Sequence, residues 1–161
     1  MEREGLVMHD TAGVCRITGE TQLDGMPGVY YVLTPLYMNE ATFYTPKDSP
    51  KVRLRPVMSA EEARTLIDQL PEVLPLTFHS LNDQRAGCAA ILKSGDSLQL
   101  ARLTKTLYQD QLRRSRQNRR GGIGDATTLK KAESLLFGEL ATALDIPFDD
   151  VVEYIRGHLE Q

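Results

Sequence analysis

The stretch Leu54-Arg55-Pro56-Val57-Met58-Ser59-Ala60-Glu61-Glu62-Ala63 is where the chain changes from one kind of structure to another. Before it, apolar residues come in short β-branched and aromatic runs separated by turns. Within it, Ser59-Ala60-Glu61-Glu62 is a capping box, in which the Ser59 hydroxyl accepts from the Glu62 amide and the Glu62 carboxylate reaches back. After it, Ala63, Leu66, Ile67 and Leu70 recur at helical spacing until Pro71 ends the run.

Working back from Arg55, the strand candidates are Leu6–Met8, Gly13–Ile17, Val29–Leu33 and Ala41–Thr45, with a fifth through Val52-Arg53-Leu54. Turn-forming residues separate them at His9-Asp10-Thr11, Asp24–Gly28 and Pro46–Pro50. So few short strands cannot build a wide sandwich. They suit a small, strongly bent barrel or half-barrel, which limits exposed edges.

Working forward, Pro71–Thr77 reads as a stiff apolar linker. Ser80 caps a second helix running to Leu92, with Leu81, Cys88, Ile91 and Leu92 apolar. Ser94-Gly95-Asp96 breaks that helix and caps a third, which carries Leu98, Ala101, Leu103, Leu107, Tyr108 and Leu112. Asp125 caps a fourth, with Leu129, Ala132, Leu135, Leu136, Leu140 and Ala143. After Asp145-Ile146-Pro147 a last helix bears Val151, Val152, Tyr154, Ile155 and Leu159. The expected class is α+β: a small β unit over 1–57 and an all-α unit of about five helices over 58–161.

Of the 161 residues 41% are apolar and 25% charged, as in an ordinary globular protein. No run of about 18 apolar residues exists to span a membrane. The N-terminus lacks the basic start and apolar stretch of a secretory signal, so a cytoplasmic location is expected. Cys15 and Cys88 stand 73 positions apart, and His9, His79 and His158 cluster with neither. Both thiols are read as small buried hydrophobes, with no metal site and no cofactor. The chain has no nucleophile elbow, P-loop, H-E-x-x-H or C-x-x-C. Asp149-Asp150 and Glu61-Glu62 begin predicted helices, where the helix dipole accounts for them. Neither an enzyme nor a small-molecule substrate is expected.

Charge is divided sharply along the chain. Residues 1–70 carry a net −3, residues 71–131 a net +6 with 11 basic and 5 acidic side chains, and residues 132–161 a net −6. The basic excess peaks at Arg113, Arg114, Arg116, Arg119 and Arg120, with Lys105 two turns upstream and Lys130 and Lys131 on the following helix. Guanidinium groups match phosphate with a planar fork of donors. No aromatic residue is interleaved, which argues against a single-strand stacking platform, and no base-reading motif is in view. The ligand this pattern fits is the backbone of duplex DNA; a solvated charged helix face is the plain alternative.

Taken in order, several segments resemble the CarD family of bacterial transcription regulators, which share a domain with the polymerase-binding module of the transcription-repair coupling factor. They are Ala12–Ile17, Tyr30–Leu33, Leu54–Val57 with Ser59–Ala63, Ile91–Asp96, Leu107-Tyr108, and Lys131–Glu133 to Leu140-Ala141. The coupling factor's helicase portion has no counterpart, so the resemblance is to a stand-alone form. It implies a Tudor-like or SH3-like N-terminal barrel whose edge adds to a strand of the RNA polymerase β subunit. It also implies a helical unit resting on promoter double-stranded DNA at the upstream edge of the bubble, stabilising the open complex in the cytoplasm, at the nucleoid.

Members commonly wedge a tryptophan into the minor groove, and this chain has no tryptophan. Phe78 matches that place by its distance to Ser94-Gly95-Asp96, Leu81 fits an alternative alignment, and Arg85 lies on the same basic side. The family's polymerase-facing arginines have no counterpart; Leu23 and Tyr44 fall near their places, with Phe43 beside Tyr44 on the candidate edge strand. The competing readings are an architectural DNA-binding protein that ignores polymerase, and an RNA- or ribosome-associated factor, where small SH3-like barrels also serve.

Overall fold

A computed structural model describes residues 5–9, 12–37, 42–47, 54–116 and 126–159, with the backbone alone at 43, 114, 115 and 126. Five strands, β1 (Leu6–His9), β2 (Gly13–Thr21), β3 (Tyr30–Pro35), β4 (Phe43–Pro46) and β5 (Leu54–Arg55), precede five α-helices. These are α1 (Ala60–Gln69), α2 (Leu81–Ser94), α3 (Ser97–Arg116), α4 (Ala126–Leu144) and α5 (Val151–Leu159). The fold is α+β.

The strands form one antiparallel sheet in the order β4-β3-β2-β1-β5. Among the described residues β4 and β5 do not pair, so the sheet is open. β2 runs four residues past the expected Ile17 and bulges between Ile17 and Gly19, which bends the sheet. The bend gives each face a small apolar cluster, Leu6, Met8 and Val14 on one and Ala12, Cys15 and Leu33 on the other.

The helices follow their local chemistry closely. Ser59 and Glu62 exchange both capping-box hydrogen bonds at 3.0 Å. Ser80 accepts from the Asp83 amide at the start of α2, and Asp96 accepts from the amides of Leu98 and Gln99 at the start of α3. Between them Gly95 adopts φ +70°, a left-handed conformation that favours glycine, and so reverses the chain in one residue. The chain does not stop at Pro71: a single 3-10 turn, Leu70–Glu72, carries it on from α1 through that proline. Asp125 lies outside the described residues.

Strands and helices pack directly on one another. Tyr37, just past β3, lies against Gly138 of α4 so closely that a Cβ there would stand 2.8 Å from the ring. The same ring stacks on Phe148 at 5.5 Å, and its hydroxyl accepts from Thr142. α4 supplies the centre of the helical core, with Leu129, Ala132, Leu135, Leu136, Leu140 and Ala143 all buried as expected. Cys15 and Cys88 are both buried. Among the described residues no helix is long and apolar enough to cross a membrane.

Several expected core positions are instead exposed. Leu98, Tyr108 and Leu112 on α3, Leu81 on α2, and Val152 and Leu159 on α5 all present large apolar surface. α3 buries Leu100, Leu103 and Leu107, so its covered face is rotated away from Leu98 and Leu112.

Candidate nucleic-acid and partner interfaces

α3 and α4 run antiparallel, and their register is fixed where the Tyr108 hydroxyl donates to Glu133 Oε1 at 2.9 Å. Burial first, and the Glu133 hydrogen bond second, push the Tyr108 phenol up to about 12. Beyond this contact, the end of α3 and the start of α4 share one end of the helical layer. Arg113 and Arg116 are exposed on α3, as are Lys130 and Lys131 on α4. Leu129 and Ala132 are buried on either side of the two lysines, joining Leu103, Leu107 and Cys88 in one cluster. That cluster also fixes α2, whose Arg85 is exposed.

Arg113 is oriented by its own helix: it donates to Asp110 Oδ1 at 2.6 Å, and that carboxylate is 3% exposed while the guanidinium side chain is 62% exposed. The side chain of Arg114 and the whole of Arg119 and Arg120 lie outside the described residues.

Lys105 separates from this cluster. Its ammonium donates to the carbonyls of Leu70, Pro71 and Val73 at 3.0, 3.2 and 2.8 Å. Three donors meet three acceptors, so Lys105 closes the end of α1 and has no N–H left for phosphate. Nothing in the charge pattern along the chain signals this.

The two wedge candidates differ in exposure. Phe78 is half-buried against the Cys88 and Leu103 cluster, with its edge on Gly87 so closely that a Cβ there would be 2.7 Å away. Leu81, the first residue of α2, is 56% exposed, and Leu74 in the linker 74%. These are the two most exposed large apolar side chains among the described residues.

Towards the other end of the chain, β4 is an edge strand among the described residues, paired there only with β3. The Lys47 amide donates to Val29 O at 3.0 Å, and the register pairs Tyr31 with Thr45, Val32 with Tyr44 and Leu33 with Phe43. In an antiparallel ladder hydrogen-bonded pairs alternate, so Phe43, Thr45 and Lys47 turn their backbone groups towards β3. Tyr44 turns its N–H and C=O to the open side. Pro46, which has no N–H, also falls on the outward phase, where its missing donor costs nothing. The Tyr44 side chain is 50% exposed. Leu23 lies in the β2–β3 loop, half-buried, its carbonyl accepting from the Met26 amide. The side chain of Phe43 is outside the described residues.

No protein-family model matches the chain, and no curated protein matches it.

Proposed function

We propose that the chain is a stand-alone transcription regulator of the CarD type. It binds the RNA polymerase β subunit through the β4 edge and promoter duplex DNA through the end of the α2–α3–α4 layer. The observation that carries this reading is the coexistence in one chain of an edge strand with outward backbone groups at Tyr44 and of exposed basic side chains on the helices at Arg85, Arg113, Arg116, Lys130 and Lys131. An architectural DNA-binding protein accounts for the second feature and leaves the first without a use.

In this reading the open antiparallel sheet belongs to a Tudor-like or SH3-like barrel, and β4 accepts a polymerase strand by β-augmentation. Residues 1–57 serve polymerase and residues 58–161 serve DNA. The arginines and lysines hold phosphates without reading bases. Leu81, with Leu74 in the linker, is better exposed than Phe78 to enter the minor groove as an apolar wedge. The protein acts by binding alone: a ligand that prefers the melted promoter shifts the equilibrium towards it. Its place is the cytoplasm, at the nucleoid.

The test is retention of the full chain on the isolated polymerase β lobe, together with competition between duplex DNA and structured RNA at fixed salt. Retention and a preference for duplex are expected. Failure to bind the lobe favours the architectural reading, and preference for RNA favours a ribosome-associated factor.

A further inference from the structure

Four helices leave a groove of about 450 Å3 where they meet, lined by Leu70 after α1, Tyr108 on α3, Phe137 on α4 and Val152, Ile155 and Leu159 on α5. The three α5 residues follow at i, i+3 and i+7 and so share one face. Phe137 is buried, whereas Tyr108, Val152 and Leu159 are 43%, 44% and 39% exposed and form the mouth.

The donors on these walls are spent within the fold. Lys105, the one charged lining residue among those described, gives its N–H groups to the carbonyls of Leu70, Pro71 and Val73. The Thr104 hydroxyl donates to Leu100 O at 2.8 Å, and the Tyr108 hydroxyl to Glu133 at 2.9 Å. Gln109, exposed on α3, is the polar lining residue whose side chain makes no hydrogen bond among the described residues. No carboxylate lines the groove to hold a cation, and no donor but this amide is left for an anion. A formal charge placed here would lose its water and find no partner.

Size decides between kinds of occupant. The volume falls within the roughly 300–1,000 Å3 of small-molecule sites, which are mostly apolar with a few placed polar groups. A stable protein partner needs about 800 Å2 on each side. Three half-exposed side chains at the mouth offer on the order of 300 Å2.

We propose that this groove binds a neutral, largely apolar small molecule, with its apolar part against Phe137, Val152 and Ile155 and one polar group facing the Gln109 amide. Its recognition chemistry is opposite to that of the exposed basic side chains on α2, α3 and α4, and it stands whether or not the chain binds polymerase.

The experiment uses the full chain and two fluorescent probes built on the same rings: N-phenyl-naphthylamine, which is neutral, and its sulfonate, which is anionic. The neutral probe is expected to bind saturably, one per chain, and at least about tenfold more tightly than the sulfonate. Val152→Lys, and independently Leu159→Lys, should weaken it about tenfold or more while circular dichroism and the thermal midpoint stay those of the parent. Leu112→Lys, on exposed apolar surface outside the groove, should leave it unchanged. Absence of saturable binding overturns the proposal, as does a sulfonate that binds as tightly as the neutral probe. So does binding that survives both groove variants, or a loss as large for Leu112→Lys as for Val152→Lys. Sedimentation showing a dimer of this chain that Val152→Lys converts to monomer also overturns it, since the occupant is then a second copy.

Discussion

Arg55 reaches across the molecule to hold Glu139 with both nitrogens of its fork, Nη1 to Oε2 at 2.6 Å and Nη2 to Oε1 at 2.7 Å. The carboxylate is 1% exposed and accepts a third bond from the Met58 amide at 2.9 Å. The guanidinium also donates to Gly95 O from Nε and Nη2, which raises to three the parts of the chain it ties together: β5, α4 and the α2–α3 turn. The Glu139 hydrogen bond holds the Arg55 guanidinium above its usual range despite partial burial.

Removing one partner of such a pair leaves a buried charge uncompensated. Arg55→Ala is expected to cost about 3–5 kcal/mol, read from urea unfolding midpoints. The double variant Arg55→Met/Glu139→Leu should recover part of that loss, because an apolar pair leaves no charge behind. A loss under about 1 kcal/mol for Arg55→Ala would mean that the pair does not hold sheet and helices together.

Tyr108 supplies a pH-dependent signature of the α3–α4 register. Its phenol is pushed up to about 12, so it should be among the last tyrosines to ionise when absorbance is followed through alkaline pH. The sign follows from the neutral form being favoured in the fold. The associated stability is present below the ordinary tyrosine range and is lost as pH rises towards 12. Tyr108→Phe should delete the late phase; a late phase that persists in this variant would assign it to another tyrosine.

What was legible in the sequence was local. Ser59 with Glu62, Ser80, Gly95 and Asp96 act within a few residues of themselves, and each appears where its chemistry placed it. The covered face of α4 was also legible, because a helix buried on most sides needs little knowledge of its neighbours. Arg55 and Glu139 stand 84 residues apart, and Lys105 stands over 30 from the carbonyls it closes, so no spacing rule reaches either. Leu98, Leu112, Val152 and Leu159 fit the helical period as well as their buried neighbours do. Period alone does not say which part of a wide apolar face another element will cover. Of the candidate site, the sequence showed the arginines but not that Lys105 was already spent, nor that Leu81 would be better exposed than Phe78.

Phe78 and Leu81 separate by what alanine does at each. Phe78→Ala removes a half-buried ring from the Cys88 cluster and should cost roughly 2–3 kcal/mol, below the range for a fully buried phenylalanine. Leu81→Ala removes an exposed side chain, so it should change stability by less than about 0.5 kcal/mol yet shorten the lifetime of the polymerase–promoter open complex. Thermal midpoints and complex decay measure both. An unchanged lifetime for Leu81→Ala would return the wedge to Phe78 or leave DNA contact to the basic residues alone.

Phosphate contacts report themselves through salt. Arg116→Glu with Lys130→Glu should weaken duplex binding to a similar degree for unrelated sequences and reduce the slope of log affinity against log salt by about 2. Lys105→Met should leave that slope unchanged, since its ammonium already faces three carbonyls. A loss that varies strongly with base sequence, or a slope that falls for Lys105→Met, would contradict the assignment of phosphate contacts.

If polymerase is bound through the open side of β4, Tyr44→Pro is the variant that must break the contact. Tyr44 turns its N–H outward, so proline there removes a donor from the open edge without breaking a bond to β3. Phe43→Pro instead breaks an inward bond and should lower the thermal midpoint, which provides the contrast. The measurement is the affinity of the full chain for the isolated polymerase β lobe, beside its affinity for duplex DNA. For Tyr44→Pro, binding through this edge requires a loss of about tenfold or more for the lobe, with the midpoint and DNA affinity those of the parent. Undiminished binding of a folded Tyr44→Pro protein to the lobe would contradict it.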